Sequence, residues 1–357
     1  MSNRLHRVEF LKILTAIALS LLMVFVIIFF VSDDPMGAIS SFLMGPLKSI
    51  RRMGNVVELM IPLMFTGLAI IFLFRTGLFN LAAEGAIFSG AVVATAIVIQ
   101  SGLPPVLRMT LAIAAAGATG AVVTFIPGVL KVKCNANEIV TSLMLNFVCL
   151  NIGLYFIHQY FLDPRINSPY SYKFSEGIAL PRLVEGTRIH LGLVIALVVL
   201  LIAWIVLNKS AFGFKSKFVG ANRKMAEYVG MSSVSIILLT QLIGGFVAGM
   251  GGAVELFGMY NRFQFGGLTG YGWDGIPIAI IARHNPRNLP LAALFIAYLK
   301  IGADIMARET NVPFEIVQII QAVMIIFISA EALLSGYKKK VMMQEIARME
   351  KEALVNE

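Results

Sequence analysis

Apolar runs of about 20 residues recur along most of this chain, and each is long enough for a helix to cross the hydrocarbon core of a bilayer. We count about ten of them, over residues 10–31, 56–74, 77–100, 107–130, 138–162, 190–207, 233–252, 265–282, 289–306 and 313–335. With 58% hydrophobic and only 14% charged residues, the composition excludes a soluble enzyme. The sequence therefore predicts an all-α polytopic membrane protein.

The basic residues indicate the side of the membrane on which each loop lies. If the N-terminus is inside and the number of spans is even, most of the 29 Lys and Arg residues fall on the cytoplasmic side, as the positive-inside rule requires. This topology places both termini and residues 208–232 inside, and residues 163–189 outside. The external stretch 32–55 is more basic than the rule favours.

The chain is predicted to form one transmembrane domain over residues 1–340, followed by a cytoplasmic tail over residues 341–357. Cys134 and Cys149 lie inside or beside apolar segments, without the spacing of a disulfide framework or a metal site, and are interpreted as core residues. The sequence contains no Walker-type loop and no visible grouping of nucleophile, base and orienting acid. We therefore expect no enzymatic activity from this chain.

Two glycine-interrupted segments, 76–85 and 266–275, each carry one carboxylate inside an apolar stretch. Non-helical backbone at membrane depth is tolerated only where it is buried in protein or lines a water-filled cavity, and a pair of such breaks in the two halves of a chain indicates a translocation path. Glu84 and Asp274 therefore either line a path or cap a half-helix, and both interpretations stay open. Other glycines are interpreted as sites of close helix packing: Gly85, Gly90, Gly244, Gly245, Gly249, Gly251 and Gly252.

The cytoplasmic loop 208–232 is predicted to contain a short helix that Asn222 caps and Gly230 ends. Met225, Ala226 and Val229 would form an apolar stripe on it. Such a helix either docks into a groove of a soluble partner or lies on lipid headgroups. On the span 289–306, Lys300 and Asp304 form either a local i, i+4 ion pair or a polar patch in a pore wall.

Several ordered motifs resemble those of one known family. Residues 77–85 read GLFNLAAEG, similar to the family's G-L-F-N-x-G-x-E-G, and residues 136–146 read ANEIVTSLMLN, similar to its N-E-V-I-T-T-x-M-L-N. Residues 180–192, 220–231 and 270–279 give further matches. The chain thus resembles, over nearly its whole length, the permease subunits of ABC importers for simple sugars and nucleosides, which are related to ribose and branched-chain amino acid permeases.

This resemblance implies a type II-like importer permease fold in the bacterial cytoplasmic membrane. The implied partners are a cytoplasmic ATPase subunit, which binds ATP and Mg²⁺, a second permease subunit and an extracytoplasmic binding lipoprotein; no cofactor is implied in this chain. The loop helix would couple to the ATPase through Asn222, Arg223, Ala226, Glu227, Tyr228 and Val229. Binding-protein docking would use the outer-loop charges Arg165, Lys173, Glu176, Arg182, Glu185 and Arg188. The translocation path would include Asn80, Glu84, Asn137, Asn146 and Asp274.

The sequence indicates the solute less firmly than it indicates an ATP-driven importer. The N-E-I-V and G-Y-G-W-D forms look closer to the nucleoside branch of the family, while a simple sugar or riboflavin would use the same mechanism. Ala82, Ala83 and the pair Arg223-Lys224 depart from the commoner family residues. Two functions of another class stay open: an ion-coupled secondary transporter, with ions at Glu84, Asp274 or the Lys300–Asp304 pair, and a passive channel.

Overall fold

The computed structural model describes residues 22–30, 32–166 and 170–313, together with residues 319, 322 and 323. These residues form helices and no strand, apart from two isolated bridges. The helices are α1 (22–30), α2 (Pro35–Met44), α3 (Ile50–Leu73), α4 (Ala83–Gln100), α5 (Pro105–Cys134), α6 (Glu138–Tyr160), α7 (Gly192–Lys209), α8 (Ala211–Ala221), α9 (Arg223–Tyr228), α10 (Ser233–Met259), α11 (Tyr271–Ile281) and α12 (Leu289–Glu309). Short 3-10 turns lie at Gly45–Leu47 and Pro286–Asn288.

The predicted all-α membrane class is confirmed, and within the described residues seven helices are long and apolar enough to span a bilayer. They correspond to seven of the predicted spans. Two others, 10–31 and 313–335, lie mostly outside the described residues. The remaining one, 265–282, was predicted too long, because its first residues are non-helical and only Tyr271–Ile281 is helix. The span 77–100 likewise begins as a helix only at Ala83.

The chain divides into two compact units, Leu47–Tyr298 and a second unit formed by Met1–Pro46 with Leu299–Glu357. In the second unit, Gly302 packs against the backbone of Phe42, and the Ser41 hydroxyl donates to Glu309 at 3.0 Å. Asp304 pairs with Arg308, one turn further along α12, at 3.0 Å.

In the larger unit, α10 is the central helix and packs against α3, α4 and α5. Glycines make this packing close. A Cβ on Gly245 would collide with Thr124 and with the Gly120 carbonyl of α5, and a Cβ on Gly90 of α4 would lie 2.5 Å from the carbonyl oxygen of Gly249. We call the contact between Gly120 of α5 and Gly245 and Gly249 of α10 the glycine seam. The expectation that Gly90, Gly245 and Gly249 serve helix packing is confirmed.

Enlarging Gly245 is predicted to destabilise the protein. Gly245→Ala puts a methyl group where backbone atoms of α5 already lie, and overpacking of this kind costs about 1–3 kcal/mol. The expected result is a lower melting temperature of the detergent-purified protein. Gly267→Ala is the matched control, since no atom lies within 4 Å of its added Cβ. Equal melting temperatures for the two variants would contradict close backbone packing at the glycine seam.

Candidate translocation and coupling site

The first break in the helices covers residues 74–82, between α3 and α4. Gly77 has a φ of 78°, a left-handed conformation that glycine adopts without steric cost. Asn80 is fully buried; its Oδ1 accepts from the Ala82 N–H at 2.9 Å, and its Nδ2 donates to the Thr124 carbonyl and to Gln241 Oε1, both at 2.8 Å. The Asn80 amide therefore satisfies the Ala82 N–H, which a continuous helix would have paired itself, and bonds the break to α5 and α10.

The start of α4 is also held by α6, which carries the second family motif. Ser142 Oγ accepts from the Leu81 N–H at 3.0 Å. Asn146 Oδ1 accepts from the Gly85 N–H at 2.9 Å, and its Nδ2 donates to the Leu81 carbonyl at 3.0 Å. The two motifs that resemble the family thus fold directly against each other. Asn80 and Asn146 were predicted to line the path. In the structure their side-chain amides form hydrogen bonds within the protein.

Asn137 lies elsewhere, at the N-terminus of α6. Its side chain is exposed, and Oδ1 accepts from the N–H groups of Ile139 (3.0 Å) and Val140 (3.3 Å). This is the geometry of a helix N-cap. Glu138 follows and pairs with Lys131 at the end of α5 at 3.1 Å. The structure therefore gives Asn137 a capping position at the end of a span, and its path role stays a prediction.

Glu84 joins the first break to the second, which covers residues 260–270 before α11. Glu84 is 1% exposed. Oε1 accepts from the Thr269 hydroxyl at 3.0 Å and the Gly270 N–H at 2.6 Å, and Oε2 accepts from the Gly272 N–H at 2.6 Å. These donors lie at the N-terminus of α11, where the free N–H groups and the helix dipole favour a negative charge. The cap interpretation of Glu84 is therefore the one that its contacts match.

Asp274 lies in the first turn of α11, 4% exposed, and its charge interacts with that of Glu84. On the same turn, a Cβ on Gly272 would lie 2.5 Å from the Glu84 backbone nitrogen, and a Cβ on Gly275 would lie 2.9 Å from the Thr66 carbonyl of α3. The turn is thus pressed against α3 and α4. We call Asn80, Glu84, Asn146 and residues 269–274 the junction.

On the cytoplasmic side of the predicted topology, α9 forms where the sequence predicts it. Asn222 is the N-cap, with Oδ1 accepting from the Met225 N–H at 3.0 Å. Gly230, with a φ of 79°, follows the end of the helix. Arg223 and Glu227 pair across one turn at 3.0 Å. The short helix, its cap and its glycine stop are confirmed.

The apolar stripe predicted for α9 is wrong in one respect, because its members face different surroundings. Ala226 is fully buried, whereas Met225 and Val229 are about half exposed and Tyr228 is 88% exposed. The reason is that the side of α9 that carries Ala226 packs against α8 and α10, so the larger apolar side chains face away from the protein. The outward group of Met225, Tyr228 and Val229 is called the α9 outer face.

Ala226 belongs to a buried apolar cluster that reaches the first break. Its members are Leu78, Val219, Ala226, Ile236 and Ile237. In addition, a Cβ on Gly220 of α8 would collide with the Arg75 carbonyl, so α8 lies directly on the backbone of the break. The residues just before the junction are therefore in van der Waals contact with α8, α9 and the start of α10.

The outer loop between α6 and α7 presents charged residues to solvent. All six predicted docking residues are exposed: Arg165, Lys173, Glu176, Arg182, Glu185 and Arg188. The loop itself is fixed by backbone hydrogen bonds to the end of α10 and the second break. Ser171 N–H donates to the Phe263 carbonyl at 3.0 Å and Ser171 Oγ accepts from the Phe263 N–H at 2.9 Å, while the Leu180 N–H donates to the Phe257 carbonyl at 2.9 Å.

Sequence reasoning missed Gln241 and Thr124. Gln241 is fully buried; besides accepting from Asn80, it donates to the Leu73 carbonyl at 3.1 Å, the last residue of α3. The Thr124 hydroxyl donates to the Gln241 carbonyl at 2.8 Å. A signal was available, since Thr240-Gln241 is a polar pair in an otherwise apolar span and such residues usually bond to a neighbouring helix.

Removing the Glu84 carboxylate is predicted to open the junction. Glu84→Ala leaves two backbone N–H groups and one hydroxyl at the start of α11 without the acceptor that they use here, and each buried unsatisfied group costs about 1–3 kcal/mol. We expect a clearly lower melting temperature in detergent, with a smaller drop for Glu84→Gln, which retains one acceptor oxygen. Glu176→Ala, on the exposed outer loop, is the control. A Glu84→Ala protein as stable as this control would show that the carboxylate does not hold the break.

Comparisons with known proteins agree with this architecture. Residues 52–329 match the family described as branched-chain amino acid transport system / permease component. The chain is 33% identical over 292 residues to the guanosine ABC transporter permease NupP of Bacillus subtilis, covering 80% of this chain and 83% of that protein. It is 33% identical over 315 residues to the glucose ABC transporter permease TsgB13 of Haloferax volcanii, with 85% and 83% covered.

The nucleoside ABC transporter permease NupB of Lactococcus lactis is 28% identical over 344 residues, which is 94% of each chain. These similarities cover 80% to 94% of this chain rather than one motif. The family match likewise runs from α3 to beyond α12. With its glycine-broken helices joined at Glu84, this chain belongs to the family of branched-chain amino acid transport system permease components.

Proposed function

We propose that this chain is the membrane-spanning permease of an ATP-driven importer that takes up nucleosides. It would lie in the bacterial cytoplasmic membrane with both termini inside. A separate ATPase subunit would bind ATP and Mg²⁺ and supply the energy. A binding lipoprotein on the outer side would deliver the solute, and this chain itself would carry out no chemical reaction.

The observation that best supports this proposal is the contact of α8 and α9 with the first break. Leu78 and Ala226 share one buried cluster, and Gly220 lies on the Arg75 carbonyl. A push on α9 from the cytoplasmic side would therefore reach residues 74–80 through close-packed atoms, without crossing a mobile loop. An importer driven by a partner needs such a contact, whereas a channel or an ion-coupled transporter does not.

The α9 outer face has the properties of a docking surface for the ATPase. It exposes an aromatic ring, a thioether and a valine beside the Arg223–Glu227 pair. Large apolar side chains on a short, capped helix act as anchors in the groove of a partner. Since Asn222 and Gly230 fix both ends of α9, docking would require little reordering of this helix.

On the outer side, the six exposed charges of the 163–189 loop would steer the binding protein. This loop is hydrogen-bonded to Phe257 and Phe263, which precede α11. Docking there would act on the second break, just as α9 acts on the first. The two breaks meet at Glu84, so the junction would receive both inputs.

A second permease subunit would complete the path. Only 17% of the residues in the most apolar 18-residue stretch of α6 are buried, and Asn151, near the middle of this helix, is exposed. A polar side chain at membrane depth usually faces a neighbouring helix or an aqueous cavity rather than lipid. The similarity to both guanosine permeases of B. subtilis, NupP and NupQ, and to both nucleoside permeases of L. lactis, NupB and NupC, supports a pair of different permeases.

The five path residues are proposed to act unequally. Asn80, Glu84 and Asn146 use the hydrogen bonds described above to hold the junction, so we propose that they shape a movable wall of the path rather than grip the solute. Weak solute binding suits an importer, because tight binding would oppose release. The nucleoside assignment is supported by the guanosine and nucleoside relatives, and the glucose relative makes a simple sugar the second candidate.

Truncating the α9 outer face is predicted to uncouple transport. Tyr228→Ala removes an 88% exposed side chain, so the fold should be retained while the anchor for the ATPase is lost. We expect uptake in proteoliposomes containing all subunits to fall at least about tenfold, as for an interface hot spot. Tyr172→Ala, which removes an exposed tyrosine from the outer loop, is the matched control. Normal ATP-driven uptake by Tyr228→Ala would contradict the coupling assignment.

The solute class has its own test. Proteoliposomes carrying both permeases, the ATPase and the binding lipoprotein should accumulate labelled guanosine when ATP is enclosed on the ATPase side. Glucose supplied in excess should not compete. Uptake of glucose but not guanosine would select the sugar importer, and uptake that proceeds without the ATPase would exclude the ATP-driven mechanism.

A further inference from the structure

A second pair of acids lies inside the larger unit and takes no part in the junction. Glu58 of α3 is 5% exposed and Glu255 of α10 is 4% exposed. Helices α3 and α10 pack against each other, and the charge of Glu58 acts on Glu255. Both lie towards the same end of the helices, within three turns of Ile50, where α3 begins, and two turns of Met259, where α10 ends. In the predicted topology this is the outer end.

The hydrogen bonding of Glu255 is incomplete, in contrast to that of Glu84. The Tyr271 hydroxyl donates to Glu255 Oε1 at 3.1 Å. Oε2 is buried and has no hydrogen-bond partner in the described part of the chain. Glu84, in comparison, receives three hydrogen bonds on its two oxygens. A buried acceptor left unpaired is costly, and in a native protein it calls for a specific explanation.

A third acceptor faces the same region from α3. Asn55 precedes Glu58 by three residues, which places the two side chains on one face of the helix. Its Oδ1 is buried and likewise has no hydrogen-bond partner among the residues described. Helix α3 packs against both α10 and α11, the helices that carry Glu255 and Tyr271. Asn55 is not an acid, so its unpaired oxygen is evidence independent of the acidic pair.

The surroundings favour a donor-rich neutral ligand over a metal ion. The charges of Arg188 and Arg182, on the outer loop, already act on Glu58. Within the described ranges, no group of three His, Cys, Asp or Glu side chains is placed to hold a metal. The groups lacking partners are acceptors, and hydroxyl or N–H groups of a solute would satisfy them. Tyr260 and Tyr271 are only partly buried, so the cluster reaches the protein surface.

We propose that Asn55, Glu58, Glu255 and Tyr271 form a solute site on the outer side of the junction, which accepts hydrogen bonds from the hydroxyl and N–H donors of an uncharged polar solute. Nucleosides and sugars both carry such donors. The inference deepens the proposed function and rests on it for the class of solute. Tyr271 follows Gly270, which Glu84 holds, so solute at this site would touch the same turn that closes the junction.

Two variants separate this role from a structural one. In Glu255→Gln the amide oxygen still accepts from Tyr271, while an NH₂ group replaces the unpaired acceptor. Asn55→Leu keeps the number and branching of the side-chain heavy atoms and removes an acceptor that has no partner among the described residues, so we expect the fold to be retained. For both we expect KM for guanosine uptake to rise roughly tenfold, as for one lost hydrogen bond, with little change in maximal rate. Asp33→Asn, which changes an exposed acid that belongs neither to the 163–189 loop nor to the site, is the control.

Binding is measured separately, as the increase in melting temperature of the purified permease pair with guanosine, 2′-deoxyguanosine, glucose or sodium chloride. The site predicts stabilisation of the wild type by guanosine or glucose, and its loss in both variants. Stabilisation without uptake would leave the site in place and reject the proposed function. The inference is overturned if no donor-bearing solute stabilises the wild type, if Asn55→Leu binds and transports like the wild type, or if only sodium stabilises the protein.

Discussion

The carboxylate of Glu84 is the interaction on which the arrangement of the broken helices depends. A charged group at membrane depth is expensive, and so are backbone N–H groups without partners. Here the carboxylate and the free donors stabilise each other, because three donors from the start of α11 bond to the two oxygens of one side chain on α4. Neither break would be acceptable alone. Together they make a region of irregular backbone that is held by the side chains of Asn80, Glu84 and Asn146 yet lacks the stiffness of a continuous helix.

This region connects the two surfaces of the protein. From the cytoplasmic side of the predicted topology, α9 packs in one cluster with Leu78. The chain continues from Leu78 to Asn80, whose side chain bonds to the Ala82 N–H just before Glu84. From the outer side, the loop around Ser171 is bonded to Phe263, which leads to Gly270. The steps are packing in one buried cluster, hydrogen bonds and short covalent stretches of chain between described residues. Coupling between two surfaces needs a physical connection of this kind, with an element between them that can adopt two arrangements.

Sequence patterns predicted local features well and long-range partners poorly. The α9 helix follows from Asn222 and Gly230 because caps are local, and the two breaks follow from glycines within apolar runs. The partner of Glu84 was not predictable, since Thr269 is 185 residues away and the binary pattern carries no register between helices. The same holds for Gln241 with Asn80 and for Glu58 with Glu255. Span 265–282 was predicted too long because hydropathy cannot distinguish a non-helical segment within an apolar run from helix.

The glycine seam has a consequence for how such a protein can move. Most packed helices can adjust to a neighbour by changing side-chain rotamers. At Gly120, Gly245 and Gly249 the two backbones are in direct contact, so no side-chain rotamer is available to adjust. Sliding α5 past α10 would create clashes or voids with nothing to fill them. These two helices must therefore travel as a single rigid body. Any opening of a passage has to be absorbed where the chain can bend, on the two irregular stretches that border this body.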